Sequence, residues 1–285
     1  MNFSGKVALV TGASRGIGKA VATRLADDGA TVAINYSREA APADALVAEL
    51  SGRGLKSQAF CADVSKPAEC HTLVEDVVKA FGRLDILVSN AGVDSFGALE
   101  EITEQEYQRV FSVNFGGQLF VTQAAARYLP SGGRIVLTSS IDAKTAVFNH
   151  TLYAASKAAV TAMALNLSLE LGERGITINA VAPGGTATDM AKENGSLYTH
   201  PALRDLPPDI LFKVLKSQMA LGHHRRAGGN RRRRGVPGFR RRRLYHRQHA
   251  RGGRRRTLKA EDAEQEAQQD LSWPQGRATF QRTWH

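Results

Sequence analysis

The chain has 285 residues, 42% of them hydrophobic, which is enough to bury one substantial core. Its net charge of +11 suggests nucleic acid only until the charge is located. Residues 1–221 carry 20 Lys and Arg against 22 Asp and Glu, a balance of −2, whereas residues 222–285 carry 18 against 5, a balance of +13. Cys61 and Cys70 are too few for a disulfide framework and lack the paired spacing of a zinc site, so two reduced thiols and no metal are expected. No stretch approaches the ~18 consecutive apolar residues of a membrane span, and the first residues lead into Val7-Ala8-Leu9-Val10 without an apolar leader. A cytoplasmic protein is expected.

In chain order, a strand over Val7–Val10 runs into Thr11-Gly12-Ala13-Ser14-Arg15-Gly16-Ile17-Gly18 and a helical pattern over Gly16–Asp28. Glycines between a strand and a helix let backbone amides approach a pyrophosphate, which the helix N-terminus attracts through its N–H groups and dipole. An ordinary turn also uses glycine, and the spacing is G-x-x-x-G-x-G rather than the general G-x-G-x-x-G. The second strand, Thr31–Asn35, ends in Asn35-Tyr36-Ser37-Arg38. An Asp or Glu here would favour NAD through the ribose hydroxyls. Asn35 stands there instead, with Arg15 and Arg38 able to flank a phosphate that a carboxylate would repel and arginine grips bidentately. The reading is NADP(H) over NAD(H); the alternative is that Arg38 is a solvated loop charge.

Helical patterns follow near Ala43–Leu50, Ala68–Phe81, Glu104–Tyr128 and Tyr153–Glu173, alternating with strands at Ser57–Cys61, Ile86–Ser89, Arg134–Ser139 and Ile176–Ala180. Short, continuously apolar strands separated by helices predict an α/β fold: a Rossmann-like, doubly wound parallel sheet forming a single domain over residues 1–221, with ligands at the carboxyl ends of its strands.

Tyr153-Ala154-Ala155-Ser156-Lys157 lies in the last long helical pattern. Spacing by four puts the Tyr and Lys on one face, where a nearby ammonium favours the phenolate and would bring Tyr153 toward proton exchange near neutrality. Such a pair is also an ordinary feature of helix surfaces. Ser140, at the end of the strand Arg134–Ser139, could hold a carbonyl oxygen; the adjacent Ser139 is the alternative. His150 reads as a solvated loop residue, and Phe96 and Phe148 either stack on a substrate ring or fill a lid.

With these motifs in order, residues 4–221 resemble the short-chain dehydrogenase/reductase family, and Ser89-Asn90-Ala91-Gly92-Val93 with Ala182-Pro183-Gly184-Gly185 are similar to its naphthol-type polyketide and 3-oxoacyl thioester reductases. The resemblance implies that Gly12, Ser14, Arg15, Gly16, Ile17 and Gly18 hold the cofactor phosphates, and that Asn35, Tyr36, Ser37 and Arg38 surround the adenosine ribose. It further implies that Asp63 and Val64 meet the adenine, while Asn90, Ala91 and Gly92 support the cofactor. Pro183, Gly184, Thr186 and Thr188 would border the nicotinamide. Ser140 would orient the substrate oxygen and Tyr153 protonate it. Lys157 would hold the nicotinamide ribose and lower the Tyr153 pKa, and Asn114 would tie a water chain to Lys157. The implied activity is NADPH-dependent reduction of a ketone by a homotetramer; alternatives are an alcohol or sugar dehydrogenase running oxidatively, and nucleic-acid binding through the basic tail. The substrate-facing segments would be Asp94–Ala98, Ala143–Leu152 and residues 190–206.

Where the family continues with a helix, a last strand and a glycine-rich ending, residues 222–256 carry fifteen arginines and no acid, and 257–285 an acidic, Gln-rich stretch. Such composition predicts a disordered tail. Read one nucleotide later, the codons implied by residues 228–257 permit an amphipathic helix, a turn, a β-branched strand and then a stop, which favours a frameshifted C-terminus over an evolved basic arm. The 285-residue chain is then expected to be poorly soluble, not cleanly tetrameric and weakly active, because arginines cannot refill apolar positions. Sequencing the coding DNA is expected to show codons that allow the shifted string; codons that forbid it refute the frameshift.

Overall fold

The computed structural model of the chain describes residues 2–194, Leu197, Tyr198 and the strand Arg225–Arg226. Six parallel strands form one sheet in the order β3-β2-β1-β4-β5-β6: β1 (Val7–Val10), β2 (Thr31–Tyr36), β3 (Ser57–Cys61), β4 (Ile86–Ser89), β5 (Arg134–Thr138) and β6 (Thr177–Val181). This is the order expected of a doubly wound sheet, and it reverses direction between β1 and β4. The long helices are α1 (Gly16–Asp27), α2 (Ala41–Ser51), α3 (Pro67–Phe81), α4 (Glu104–Phe111), α5 (Gly117–Ala126) and α6 (Thr151–Glu173), and the short helix α7 spans Asp189–Glu193.

The continuous apolar runs of the strands are explained by burial on both faces. Leu9, Leu87, Ile135 and Leu137 pack with α3, α5 and α6 on one side, through residues such as Val74, Val121 and Val160. Ala8, Val10, Ile34 and Val88 face the other side, against Ala22 and Ala26 of α1 and Leu46 and Leu50 of α2. Burying a Leu, Ile or Val side chain contributes roughly 1.5–3 kcal/mol, so these layers carry the stability of the sheet.

Two expectations about elements require correction. The pattern over Glu104–Tyr128 is not one α-helix: Ser112–Gly116 is a π turn between α4 and α5, and the helix ends at Ala126. The wider turn carries the fully buried Asn114, whose inward polar side chain ordinary amphipathic spacing does not anticipate. The expectation of disorder over residues 222–285 lies outside the described residues, except that Arg225–Arg226 pairs in parallel with Thr186–Ala187 (β7), a short ladder where no structure was expected. Among the described residues β6 pairs with β5 alone, and Val181 is exposed.

The first crossover depends on close packing. A Cβ added to Gly18 would overlap the Gly12 carbonyl oxygen and stand 2.7 Å from Asn90 Nδ2, so no larger residue fits where α1 meets the β1 turn. Overpacking of this kind costs about 1–3 kcal/mol. In chemical denaturation Gly18→Ala is therefore expected to lose about that much unfolding free energy, whereas Gly97→Ala, whose Cβ would meet nothing, should change it by less than about 0.5 kcal/mol. Equal losses would contradict the packing.

Candidate active site

The reversal of strand order opens a crevice at the carboxyl ends of β1 and β4, and two side chains clasp its walls together. Thr11 Oγ1 accepts from the backbone N–H groups of Asn90 (2.9 Å) and Ala91 (3.1 Å). Asn90 Nδ2 in return donates to the carbonyls of Thr11 (3.1 Å) and Gly12 (3.3 Å). Gly12 has φ +60°, and a Cβ there would stand 2.9 Å from Ala91 Cα, so the turn needs glycine for both conformation and approach. Beyond Ser14 and Arg15, α1 begins at Gly16 with no side-chain cap and no acidic residue in its first turn. Its N–H groups and positive dipole end therefore face the crevice, the electrostatics that a pyrophosphate requires.

The other residues expected to hold the cofactor differ in how they stand around that cradle. Ile17 is half-buried beside the turn, and Arg15, Ser37 and Arg38 are exposed, Arg15 Nη1 forming an exposed ion pair with Glu193 at 3.9 Å. Tyr36 is half-buried at the end of β2, where burial pushes its phenol up. Asp63 accepts from both the N–H (3.0 Å) and hydroxyl (2.8 Å) of Ser65; burial opposes this, but those bonds prevail and hold its carboxyl below the usual range. Val64 beside it is buried. Asn35 is buried, its Oδ1 accepts from Gly12 N–H (3.3 Å), and its Nδ2 donates to the carbonyls of Tyr36, Phe60 and Ala62 at 3.1–3.3 Å. Asn35 therefore holds the glycine turn to β2 and β3 and offers no group to a ribose, because all its polar atoms are already engaged.

On the opposite wall the two serines separate. Ser139 turns inward, where its hydroxyl donates to the Lys157 carbonyl (2.8 Å) and meets Thr161 Oγ1 (2.8 Å). Ser140 Oγ donates to Asp142 Oδ2 (3.1 Å) and accepts from Asp142 N–H (3.2 Å), and it lies near enough to the Tyr153 phenol to oppose the rise in its pKa. Ser140, not Ser139, is therefore the hydroxyl beside Tyr153, and it reaches a carbonyl only by giving up its bond to Asp142. Lys157 is buried with Nζ donating to the Thr138 carbonyl (3.0 Å) and standing 5.5 Å from the centre of the Tyr153 ring. Burial brings this ammonium down to about 8, with Asp94 opposing.

The expected lowering of Tyr153 is corrected. Burial pushes its phenol well above the ordinary value, Asp94 and Asp142 add to the rise, and the Ser140 hydroxyl only partly opposes it. Removal from water dominates, and the same burial lowers the pKa of the neighbouring ammonium. Asn114 does not reach Lys157 directly. Its Oδ1 accepts from Val93 N–H (2.8 Å), and its Nδ2 donates to the Val93 carbonyl and to Ser156 Oγ, both at 3.0 Å. Asn114 Oδ1 and Lys157 Nζ nevertheless border the same face of Gly92, each 3.2 Å from where a Cβ would lie.

The chain then returns past the site. Pro183 accepts from Ile141 N–H (3.0 Å), Gly184 accepts from the Thr186 hydroxyl (2.9 Å), and Thr188 caps α7 by accepting from Ala191 N–H (3.2 Å) while its side chain approaches Gly16. Sequence reasoning misjudged His150. It is not solvated but buried, stacked between the rings of Phe96 and Tyr153 and bonded through Nε2 to Asp94. Phe96 thus stacks on this histidine, while Phe148 is exposed. Tyr198 and Asn194, in the segment expected to face substrate, both donate to Asp94; residues 190–193 of that segment belong to α7, and residues 195–196 and 199–206 lie outside the described residues.

The glycine cradle, the uncapped N-terminus of α1 and the buried Lys157 fit a nicotinamide dinucleotide. Comparison with known proteins agrees. The family model for short chain dehydrogenase matches residues 6–198. The hydroxynaphthalene reductase-like protein Arp2 of Metarhizium majus is 43% identical over 78% of this chain and 83% of its own length, and short chain dehydrogenase/reductase nsrJ of Aspergillus novofumigatus is 50% identical over 66% and 72%. Among solved structures, a short chain dehydrogenase from Burkholderia cenocepacia in complex with NADP matches with TM-score 0.71 and 42% identity over 80% of this chain and 88% of that one. The angucycline C-6 ketoreductase LanV with bound NADP matches with TM-score 0.69 and 34% identity over 80% and 86%. With this fold and this site, the chain belongs to the short chain dehydrogenase family and is a nicotinamide-dependent oxidoreductase.

Proposed function

We propose that the chain is an NADPH-dependent carbonyl reductase acting on a ketone of the aromatic polyketide or 3-oxoacyl thioester kind. The observation that carries this reading is the convergence of Ser140, Tyr153 and Lys157 on the crevice beside the glycine cradle. The cofactor, when bound, supplies the hydride. Ser140 orients the carbonyl oxygen, and Tyr153 gives that oxygen its proton. Lys157 holds the ribose and steadies the charge left on the tyrosine, and Asn114, sharing the flank of Gly92, helps to return the proton. A protonated phenol at neutral pH can serve as the acid of a reduction, whereas oxidation needs the same residue as a phenolate base. The relatives' names support an aromatic ketone, and Arg15 and Arg38, with no carboxylate at the end of β2, support NADP(H). A cytoplasmic location belongs to the same reading, and so does the homotetramer that the family implies, for a chain whose C-terminal frame is restored. Exposed Leu165 and Leu169 on α6 supply apolar surface for such assembly, and no described helix is long and apolar enough to cross a membrane.

Turnover of a bicyclic aryl ketone, followed by loss of NADPH absorbance, should fall by roughly 10²–10⁴ in Tyr153→Phe while NADPH binding survives. Retained turnover would assign the proton to another group. NADPH should bind tighter than NADH, with Arg38→Asp narrowing or reversing the preference; equal affinities in the unmodified chain would contradict the assignment of the arginines.

A further inference from the structure

Beneath the substrate side of the crevice runs a line of polar groups that the reaction above does not use. The Ser140 hydroxyl donates to Asp142 Oδ2 (3.1 Å). The same Asp142 oxygen lies 3.6 Å from His150 Nδ1, and His150 Nε2 lies 2.6 Å from Asp94 Oδ1. Asp94 Oδ2 accepts from Tyr198 (2.6 Å). Asp94 remains a carboxylate, since bonds from His150 and Tyr198 outweigh the opposing effect of burial, so it takes the Nε2–H and leaves Nδ1 with a lone pair directed toward Asp142. The imidazole is sealed from water, stacked on Phe96 (centroids 4.2 Å apart) and on Tyr153 (4.4 Å), and Nδ1 finds no hydrogen-bond partner among the described residues. A buried nitrogen left unpartnered costs free energy, and a lone pair facing a carboxylate costs more. Asn149, the one described non-glycine residue with positive φ (55°), gives its carbonyl to Gly97 N–H (2.9 Å) and turns the chain so that His150 enters this slot.

We propose that Asp94, His150 and Asp142 form a buried positioning relay for Ser140, in which the proton state of His150 Nδ1 decides which neighbour Asp142 engages. Without a proton on Nδ1, Asp142 accepts from Ser140 and holds that hydroxyl away from a carbonyl oxygen. When Nδ1 takes a proton from solvent through the partly exposed Asp142, the carboxylate turns to the imidazolium, an ion pair replaces the unpartnered nitrogen, and the Ser140 O–H is released to the substrate. Among the described residues, the charged and titratable groups facing His150 are Asp94 from the loop after β4, Asp142 from the turn after β5, Tyr153 from α6 and Tyr198 beyond α7. Lys157 lies behind Tyr153, and Arg109 of α4 donates to the Asp94 carbonyl (2.7 Å) while paired with Glu106. His150 touches neither substrate nor cofactor; it acts through Ser140.

The inference rests on the reductase reading, and its test separates the two. In the full chain, kcat for ketone reduction is measured against pH in wild type, His150→Gln and Asp142→Asn, with NADPH binding and thermal midpoint as checks on folding. Glutamine keeps a donor toward Asp94 but takes no proton, so Asp142 stays on Ser140 and kcat should be flat at the low, alkaline-side level. Asparagine weakens the hold on Ser140, so kcat should be flat near the high, acid-side level, roughly tenfold above that of the glutamine variant, as one charge-assisted hydrogen bond provides. Variants that keep the wild-type profile, both merely slower, overturn the relay and leave His150 a packing residue. Should His150→Gln not fold, the Asp142→Asn profile alone decides. If the chain binds NADPH but reduces neither a bicyclic aryl ketone nor an acetoacetyl thioester, the reductase reading fails. The relay is then judged from imidazole 15N resonances without substrate: acidification should put a proton on Nδ1 bonded to Asp142, and that bond should vanish in Asp142→Asn. A Nδ1 signal indifferent to this substitution overturns it.

Discussion

One ammonium held out of water by a backbone carbonyl is the constraint on which the site depends. Lys157 has little access to solvent, its Nζ donates to the Thr138 carbonyl at the end of β5, and the Tyr153 ring stands over it. An ammonium in such a place is costly unless a partner compensates, and the Thr138 carbonyl satisfies only one of its three donors. Under the proposed reading, ribose hydroxyls of the bound cofactor would take the others. The same burial that lowers Lys157 to about 8 raises Tyr153, and both effects follow from placing α6 against the carboxyl ends of the central strands.

The opposite wall solves a different problem, that of bringing a pyrophosphate against backbone. Thr11 and Gly12 exchange four hydrogen bonds with Asn90 and Ala91 across the reversal of strand order, and the glycine turn packs so closely on the segment after β4 that side chains are excluded. Asn35 completes the clasp from β2. The walls thus differ in kind: one is rigid backbone suited to an anion, the other is a set of side chains whose proton states are governed by burial and by Asp94 and Asp142.

Much of this was legible in the sequence because it rests on local pattern. Continuous apolar runs identified strands buried on both faces, the glycine spacing marked the turn after β1, and Tyr153 and Lys157 share a helical face at a separation of four. What was not legible depends on contacts between distant residues. Asn35 looked available to a ribose because nothing local reveals that the carbonyls of Phe60 and Ala62 enclose it. His150 looked solvated because its stacking partner Phe96 and its bonding partner Asp94 lie more than fifty residues away. The rise in the Tyr153 pKa escaped for the same reason, since spacing shows that an ammonium is near but not that water is absent. The positive φ at Asn149 fits a residue type that tolerates this conformation, yet one asparagine before a helix is too common a feature to single out.

The central claim is that hydride passes from the nicotinamide ring to a carbonyl carbon while the oxygen takes its proton from the protein. Single-turnover reduction of a bicyclic aryl ketone in ordinary water, with NADPH deuterated on one face of the nicotinamide C4, tests it directly by mass spectrometry and NMR of the product. The account predicts a carbinol carbon carrying one deuterium from one of the two labelled faces and none from the other. A product with no deuterium from either face, or no product while NADPH is bound, would contradict it.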